Sequence, residues 1–149
     1  MFEIKELRLL TKEEYKENKE KIQIFHGWWW LQDADTNKYN ACCVNKNGNV
    51  YNYNIRQPIY VRPALVVYGV NSYHIIGEKY RFFGYKWTLI SAENEKGILF
   101  CDTYIDERRF DAKSNKWDES ELKLWLENWL KDKKEKEREK IKEKIKKNF

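Results

Sequence analysis

The sequence predicts an α+β fold with a mixed, mainly antiparallel sheet, two helices and a charged C-terminal helical tail. Short β-branched and aromatic segments alternate with turn residues, two segments carry helix-capping patterns, and residues 131–149 are mostly charged. Aromatic residues make up 16% of the 149 residues, which favours a folded chain although 36% are charged. We therefore expect one domain over residues 1–130 and a tail over residues 131–149.

The first elements are a strand, a helix and a second strand. Leu7, Leu9 and Leu10 close the first strand-like segment. Thr11 and Glu14 have the spacing of a capping box, which predicts a helix over residues 12–21. The bulky sequence Trp-Trp-Trp-Leu at positions 28–31 predicts a strand that is buried on both faces, at the centre of the core.

A β-hairpin follows this strand. Residues 41–44 and 50–53 are strand-like, and the Asn-Gly dipeptide at positions 47–48 supplies the turn. Residues 60–67 predict another strand, in which Pro63 implies an edge or a bulge because proline has no backbone N–H group to donate.

Three further strands are predicted over residues 79–83, 85–92 and 97–102. Gly84 and residues 93–97 provide the turns between them.

The last predicted helix opens at a second capping box, formed by Asp118 and Glu121. Its apolar positions follow a single helical stripe, which we expect to pack on the sheet. These positions are Leu122, Trp125, Leu126, Trp129 and Leu130. Beyond them the sequence keeps helical propensity but has few apolar residues, which is typical of a projecting helix.

The net charge of +5 lies in the tail. Residues 131–149 contain ten Lys or Arg and five Asp or Glu, so residues 1–130 are neutral. Only seven of the 29 basic residues are Arg, the residue that best reads bases and clamps phosphates. The charge distribution therefore weakens a specific nucleic-acid function for the globular part.

The cysteines indicate neither a disulfide framework nor a zinc site. Cys42 and Cys43 are adjacent in a predicted strand and so face opposite sides, and Cys101 is distant in sequence. No signal peptide and no apolar stretch long enough for a membrane span occur. We therefore expect reduced thiols, a cytoplasmic location and no membrane association.

Catalytic motifs are weak. Two isolated histidines and scattered glycines form no metal, phosphate-binding or nucleophile motif, so we expect no cofactor and no metal. The carboxylates Asp102, Asp106, Asp111 and Asp118 are dense enough for an enzyme hypothesis. Basic residues are interleaved with them, however, which favours a solvated loop with mixed ion pairs.

A contact surface is predicted around residues 50–57 (VYNYNIRQ). The tyrosines of this strand point to one side and Asn52 and Asn54 to the other, and surfaces of this composition are adaptable in binding proteins. An ordinary amphipathic strand with exposed asparagines is the alternative.

Segments over most of residues 7–130 resemble one family. Residues 29–31 (WWL), 47–50 (NGNV) and 61–65 (VRPAL) match the pattern WWLRSP…NxxGxV…GVRPAL. Its remaining portion is matched by Gly77 and by residues 83–87, 99–105 and 117–126. The chain therefore resembles an uncharacterised domain family that is common in low-GC Gram-positive bacteria and their phages. Many members carry the VRPAL part last, so this chain resembles a rearranged variant.

The resemblance implies a scaffold rather than an activity. The family is distantly similar to the C-type lectin-like fold of phage variable receptor-binding proteins and the formylglycine-generating enzyme. The reactive cysteine pair of that oxidase has no counterpart here, and Gln32–Asp33–Ala34 replaces the Arg-Ser-Pro of the family pattern. Arg62 matches the arginine of VRPAL, and we expect a structural hydrogen-bonding role for it. The implied scaffold presents loops and strands to a partner.

Together these observations predict a non-enzymatic binding module for a macromolecule, most simply a protein, in a phage or prophage accessory role that acts on a host system. The predicted contact residues are Asn52, Asn54, Arg56, Asp33, Asp35 and Tyr39. One alternative is nucleic-acid binding through the tail, with Lys140, Lys144 and Lys147 as contacts. The other is an enzyme that uses the carboxylates of residues 102–118. The sequence does not determine the oligomeric state.

Overall fold

The computed structural model describes residues 2–148, which form two five-stranded sheets and two α-helices. This confirms the predicted α+β class. Position 149 of the predicted tail lies outside the described residues. In chain order the elements are β1 (Glu3–Arg8), α1 (Lys12–Asn18), β2 (Trp29–Ala34), β3 (Asn40–Val44), β4 (Val50–Asn54), β5 (Ile59–Val61), β6 (Ala64–Tyr68), β7 (Lys79–Phe82), β8 (Tyr85–Glu93), β9 (Lys96–Cys101), β10 (Asp106–Arg108) and α2 (Glu121–Lys147), with 3₁₀ helices at Lys19–Lys21 and Trp117–Glu119.

The strands divide between two sheets, where the sequence predicts one. The first sheet has the order β1-β6-β9-β8-β7 and the second has the order β10-β5-β2-β3-β4. Neighbouring strands are antiparallel except β2 and β5, which are parallel, so the pairing is mixed and mainly antiparallel as expected. The chain crosses between the sheets at Arg62 and Pro63, which separate β5 from β6. Pro63 therefore marks a change of sheet within the segment predicted as one strand.

Two hydrophobic clusters hold the sheets together, and each contains residues of both sheets. One cluster includes Trp30 from β2 and Trp87 from β8, with the buried leucines of α2. The other includes Trp29 and Phe100, with Tyr15 of α1. The successive tryptophans face opposite clusters because side chains alternate along a strand.

The cysteines follow the same alternation. Cys43 lies in the cluster with Trp30, and Cys42 lies in the cluster with Trp29. All three cysteines are free and buried, and burial raises the pKa of Cys43 to about 12 and that of Cys101 to about 11. The predictions of opposite faces and of unpaired thiols are confirmed.

Helix α1 begins where the sequence predicts. Thr11 Oγ1 accepts a hydrogen bond from Glu14 N at 3.1 Å, and Glu14 Oε1 accepts from Thr11 N at 2.9 Å. The α-helix ends at Asn18, and a 3₁₀ turn over Lys19–Lys21 completes the predicted span.

The predicted start of α2 is wrong. Asp118 lies within the preceding 3₁₀ helix, and the cap is Ser120, whose Oγ accepts a hydrogen bond from Lys123 N at 3.1 Å. From there α2 runs 27 residues without a break, so the charged tail is the second half of the same helix. In the described part of the chain no helix combines the length and hydrophobicity needed to span a membrane.

Candidate functional site

A groove lies between β10, the turn that follows β4 and the first half of α2. Its volume is about 680 Å³. Three of the seven arginines of the chain meet there, which is a high density for a sequence in which lysine is the common basic residue. The arginine groove is lined by Arg56, Pro58, Glu107, Arg108, Arg109, Glu121, Leu122, Leu124, Trp125 and Asn128.

Arg108 and Trp125 lie against each other in the lining of the arginine groove. The guanidinium carbon of Arg108 lies 4.6 Å from the centroid of the Trp125 ring, which places the cation against an aromatic face. The backbone of Arg108 is fixed because its carbonyl accepts a hydrogen bond from Trp30 Nε1 at 2.8 Å. Its guanidinium is only loosely paired, since the nearest oxygen of Asp106 lies 3.6 Å away. Arg108 therefore keeps donors that a ligand can use.

The other two arginines differ in how far they are engaged. Arg109 is neutralised by Glu121, through two hydrogen bonds of 2.8 and 2.9 Å. Arg56 uses its Nε to hold the Ala112 carbonyl at 2.8 Å, and this bond orients its planar guanidinium. The terminal nitrogens of Arg56 and Arg108 are thus the principal cationic donors of the arginine groove.

The other carboxylate in the lining, that of Glu107, interacts with Tyr60. Glu107 pairs in register with Tyr60 across β10 and β5, and its negative charge is the main reason why the pKa of the Tyr60 hydroxyl is raised. The arginine groove consequently combines two oriented cations with an indole ring and the side chain of Leu124, which is 59% exposed. This arrangement suits a carboxylate-bearing chain with apolar neighbours.

Strand β4 forms the free edge of the second sheet. Within residues 2–148 it pairs only with β3, and none of its five residues is charged. The other three edge strands carry charged residues: four of six in β1, two of four in β7 and all three in β10. Charged edges discourage pairing with another strand, so β4 is the edge that is open to it.

The backbone groups of β4 that face outward can be assigned from the register. Asn45 N donates to Asn49 O at 2.8 Å, and Ile55 N donates to Tyr39 O at 2.9 Å. In an antiparallel pair hydrogen-bonded positions alternate, so Tyr51 and Tyr53 bond to β3. The N–H and C=O groups of Asn52 therefore point away from the sheet.

The side chains of β4 also alternate as predicted. Tyr51 and Tyr53 pack edgewise or tilted against Trp28, at 5.6 and 5.4 Å between ring centroids, on the α2 side of the sheet. Tyr51 remains 58% exposed. Asn52 lies on the opposite side, where its Oδ1 accepts a hydrogen bond from Cys42 Sγ at 3.5 Å. The α2 side thus carries both the arginine groove and an exposed aromatic surface.

The structure places the predicted contact residues at three locations: β4 with the turn after it, the start of α1, and the loop between β2 and β3. Arg56 lies in the arginine groove, next to the end of β4 where Asn54 Oδ1 accepts a hydrogen bond from Arg56 N at 2.9 Å. Asp33 lies near α1 instead, where its Oδ1 accepts from Lys12 N at 2.6 Å and so holds the start of the helix. Asp33 therefore has a structural role besides its predicted contact role.

Asp35 and Tyr39 belong to the loop between β2 and β3. Asn115 Nδ2 donates to Asp35 O and to Asn40 O, both at 3.0 Å, which ties this loop to the segment before α2. The Tyr39 side chain is exposed, and the ammonium of Lys38 lies 5.2 Å from its ring. The hydrogen bonds of Asn115 thus fix the backbone of the loop that exposes Tyr39.

Two carboxylates of the enzyme hypothesis have structural partners. Asp111 accepts hydrogen bonds from Lys113 N, Ser114 N and Glu121 N at 2.7, 2.8 and 2.9 Å. Asp102 pairs with Lys79 Nζ at 2.7 Å and accepts from Thr88 Oγ1 at 2.5 Å.

The other two carboxylates are more exposed. The Asp106 side chain is 42% exposed, lies 3.6 Å from Arg108 and accepts a hydrogen bond from Glu107 N at 2.7 Å. The side chain of Asp118 is 94% exposed.

The predicted nucleic-acid contacts lie on the last part of α2. Lys140, Lys144 and Lys147 are exposed and spaced by four and three residues, so they share one helix face. The nearer part of the tail is attached to the fold, since Lys134 Nζ donates to Ile4 O at 2.9 Å.

Sequence reasoning missed Arg108 and Trp125 as partners in a site. Arg108 lies in a segment of mixed charges, which indicates a solvated loop. Trp125 lies on the apolar stripe of a helix, which indicates a core residue. Only the pairing of β10 with β5 brings the two together. The one available signal is the doubled arginine in a chain that otherwise uses lysine.

Comparison with known proteins gives one match. Residues 2–69 match the model of a family described as a domain of unknown function (DUF6273). The matched segment covers β1 to β6, fewer than half of the residues of the chain. No curated protein and no solved structure matches the chain. The first part of the chain is thus similar to an uncharacterised domain family.

Proposed function

We propose that this chain is a non-enzymatic binding module that holds an acidic segment of a protein partner in the arginine groove. The observation that carries the proposal is that Arg56 and Arg108 line one groove, in which the Arg108 guanidinium lies against the ring of Trp125. Buried aromatic and arginine side chains dominate the binding energy of many protein interfaces. A carboxylate accepts two parallel hydrogen bonds from a guanidinium, so acidic side chains fit the two oriented cations.

Engagement of two of the four loop carboxylates, Asp102 and Asp111, supports a binding role over catalysis. Asp111 uses its oxygens to hold three backbone N–H groups, and Asp102 is held by Lys79 and Thr88. A general base must reach a substrate proton, and these carboxylates already serve neighbouring groups of the fold.

The biological setting is part of the same proposal. The resemblance of residues 29–31, 47–50 and 61–65 to a family of low-GC Gram-positive bacteria and their phages, together with the family match, supports a phage or prophage accessory protein. Such a module would act on a host system in the cytoplasm, on a scaffold related to the C-type lectin-like fold.

The experiment is affinity capture from a nuclease-treated lysate of a low-GC bacterium, with identification of the captured proteins. The test variant is Arg56→Ala/Arg108→Ala. The matched control, Arg81→Ala/Arg138→Ala, removes the same charge outside the arginine groove. We expect one protein to be recovered by the wild type and the control, and to fall at least tenfold with the test variant. Equal recovery by all three chains would contradict the proposal.

A second candidate function, nucleic-acid association, is favoured by the shared helix face of Lys140, Lys144 and Lys147. Phosphate contacts of this kind weaken steeply with salt. The test is a gel-shift assay with duplex DNA at 50 and 200 mM salt. We expect the wild type to bind more weakly at 200 mM than at 50 mM salt, and Lys140→Glu/Lys144→Glu/Lys147→Glu to abolish binding. Binding that survives this substitution, or that does not respond to salt, excludes the tail as the nucleic-acid site.

A further inference from the structure

We infer that two copies of this chain associate through β4, in an antiparallel pair whose two-fold axis passes through Asn52. The sheet edges of the described residues differ in a way that points to this strand. Three edges carry charged residues and β4 carries none. Natural proteins place charges on edges that must not pair, so an uncharged exposed edge indicates one that does pair.

The three central residues of β4, Tyr51–Asn52–Tyr53, are symmetric about Asn52, whereas Val50 and Asn54 at the ends of the strand differ. Tyr51 and Tyr53 flank Asn52, so a two-fold axis at this position places each tyrosine opposite the other tyrosine of the second copy. Asn52 then lies opposite its own equivalent. A symmetric dimer requires a self-complementary surface. Here the tyrosines of one strand face the tyrosines of the other, and the two Asn52 residues face each other.

The hydrogen-bond register fits the same axis. The N–H and C=O groups of Asn52 point outward, so the two copies exchange a pair of hydrogen bonds at the axis. The facing tyrosines then occupy non-hydrogen-bonded positions, where side chains of neighbouring strands approach most closely. Cross-strand aromatic pairs at such positions stabilise sheets.

Charge does not oppose this association. Between positions 47 and 57 the one charged residue is Arg56. Arg56 lies in the turn after β4, outside the pairing strand, and no residue of β4 is charged, so no like charges face each other between the two strands. The product is a continuous ten-stranded sheet, a size within the range of natural sheets.

The arrangement goes beyond the proposed function and is independent of it. A two-fold axis between antiparallel strands of one sheet is perpendicular to the sheet, so both arginine grooves open on the same side. Such a dimer is bivalent toward a partner that carries two acidic segments.

The test is sedimentation of the full chain over a range of concentrations. We expect the mass to rise from 18.3 kDa to twice that value as concentration increases. Asn52→Lys places two ammonium groups opposite each other at the axis, and we expect it to raise the dimer dissociation constant by about tenfold or more. Ser72→Lys adds the same charge at an exposed position outside β4 and should leave the constant unchanged.

A mixture of two variants tests the register directly. Asn52→Lys and Asn52→Asp chains should each dimerise weakly, whereas an equal mixture should form dimers, because opposite charges then meet at the axis. Circular dichroism confirms that each variant is folded. A chain that stays monomeric at millimolar concentration overturns the inference, and so does a dimer that neither substitution weakens. Failure of the arginine-groove variant to lose its protein partner would contradict the proposed function alone.

Discussion

Arg62 is a buried cation that is held by carbonyl groups and aromatic rings. It is 1% exposed, its Nε donates to Cys101 O at 2.9 Å, and one terminal nitrogen donates to Gln23 O at 2.7 Å. The guanidinium carbon lies 4.6 Å from the ring centroid of Phe100 and 5.2 Å from that of Trp29. Burial lowers its pKa to about 10, which leaves it charged at neutral pH. This geometry agrees with the structural hydrogen-bonding role that the VRPAL resemblance implies.

The first prediction concerns the fork geometry of this side chain. Lysine keeps the charge but cannot reach both carbonyls at once or stack in the same way. We expect Arg62→Lys to lower the free energy of unfolding by about 2–4 kcal/mol, measured by urea denaturation. Arg56→Lys changes the same residue type at an exposed position with one hydrogen bond, and it should cost less than about 1 kcal/mol. Similar losses for the two variants would contradict the structural role of Arg62.

At the scale of elements, local signals predicted well and pairing across the chain did not. The hairpin of β3 and β4 was predictable because the Asn-Gly turn and the flanking strands are contiguous in sequence. Strand β10 was missed because its three residues are all charged, and only its partner β5 makes them a strand. The division into two sheets was missed for a similar reason. Pro63 signals an interruption, but the sequence does not reveal that the chain changes sheet there.

The same limit applies to the candidate site. Arg56 was predicted from the composition of residues 50–57, whereas Arg108 and Trp125 come from segments whose local patterns indicate a loop and a core helix. A site that forms where distant elements meet has no local pattern, so its composition can be predicted only in part.

The second prediction concerns the connection between β10 and α2. Burial alone would raise the pKa of Asp111, but the backbone N–H groups of Lys113, Ser114 and Glu121 outweigh this effect and hold it below the ordinary value of 3.8. A carboxyl whose pKa is lowered by folding stabilises the protein above its unfolded pKa, and this contribution is lost as the pH falls through the folded pKa. We expect Asp111→Asn to lower the free energy of unfolding by about 1–3 kcal/mol at pH 7.

The pH dependence provides the control for this prediction. The difference in stability between the wild type and Asp111→Asn should shrink as the pH falls below about 4, because the wild-type carboxyl then becomes protonated. Asp118→Asn removes a carboxylate that is 94% exposed and 3.6 Å from Lys123, and should change stability by less than about 0.5 kcal/mol. A constant difference at all pH values would mean that the charge of Asp111 does not contribute.

At the scale of the whole molecule, the two sheets share their cores. Trp30 of the second sheet packs in one cluster with Trp87 of the first, and Trp29 packs in the other cluster with Phe100. Neither sheet can separate without exposing both clusters to water, which costs about 25 cal/mol for each Å² of apolar surface. Helix α2 adds to one cluster through Leu122, Leu126 and Leu130, so its first half is part of the same unit.

The third prediction follows from these shared cores: the chain unfolds in a single cooperative step. Urea denaturation should give coincident transitions by tryptophan fluorescence, which reports on the fully buried Trp29, Trp30 and Trp87, and by circular dichroism, which reports on helices and strands. All denaturation curves should be measured at the same protein concentration, because association of two chains shifts the midpoint. Residues 139–148, the described part of the end of the chain, are all exposed, so deletion of residues 139–149 should leave the midpoint unchanged within about 0.2 M urea. Two separated transitions would show that the sheets fold independently. That result would contradict the conclusion that each hydrophobic cluster is shared by both sheets.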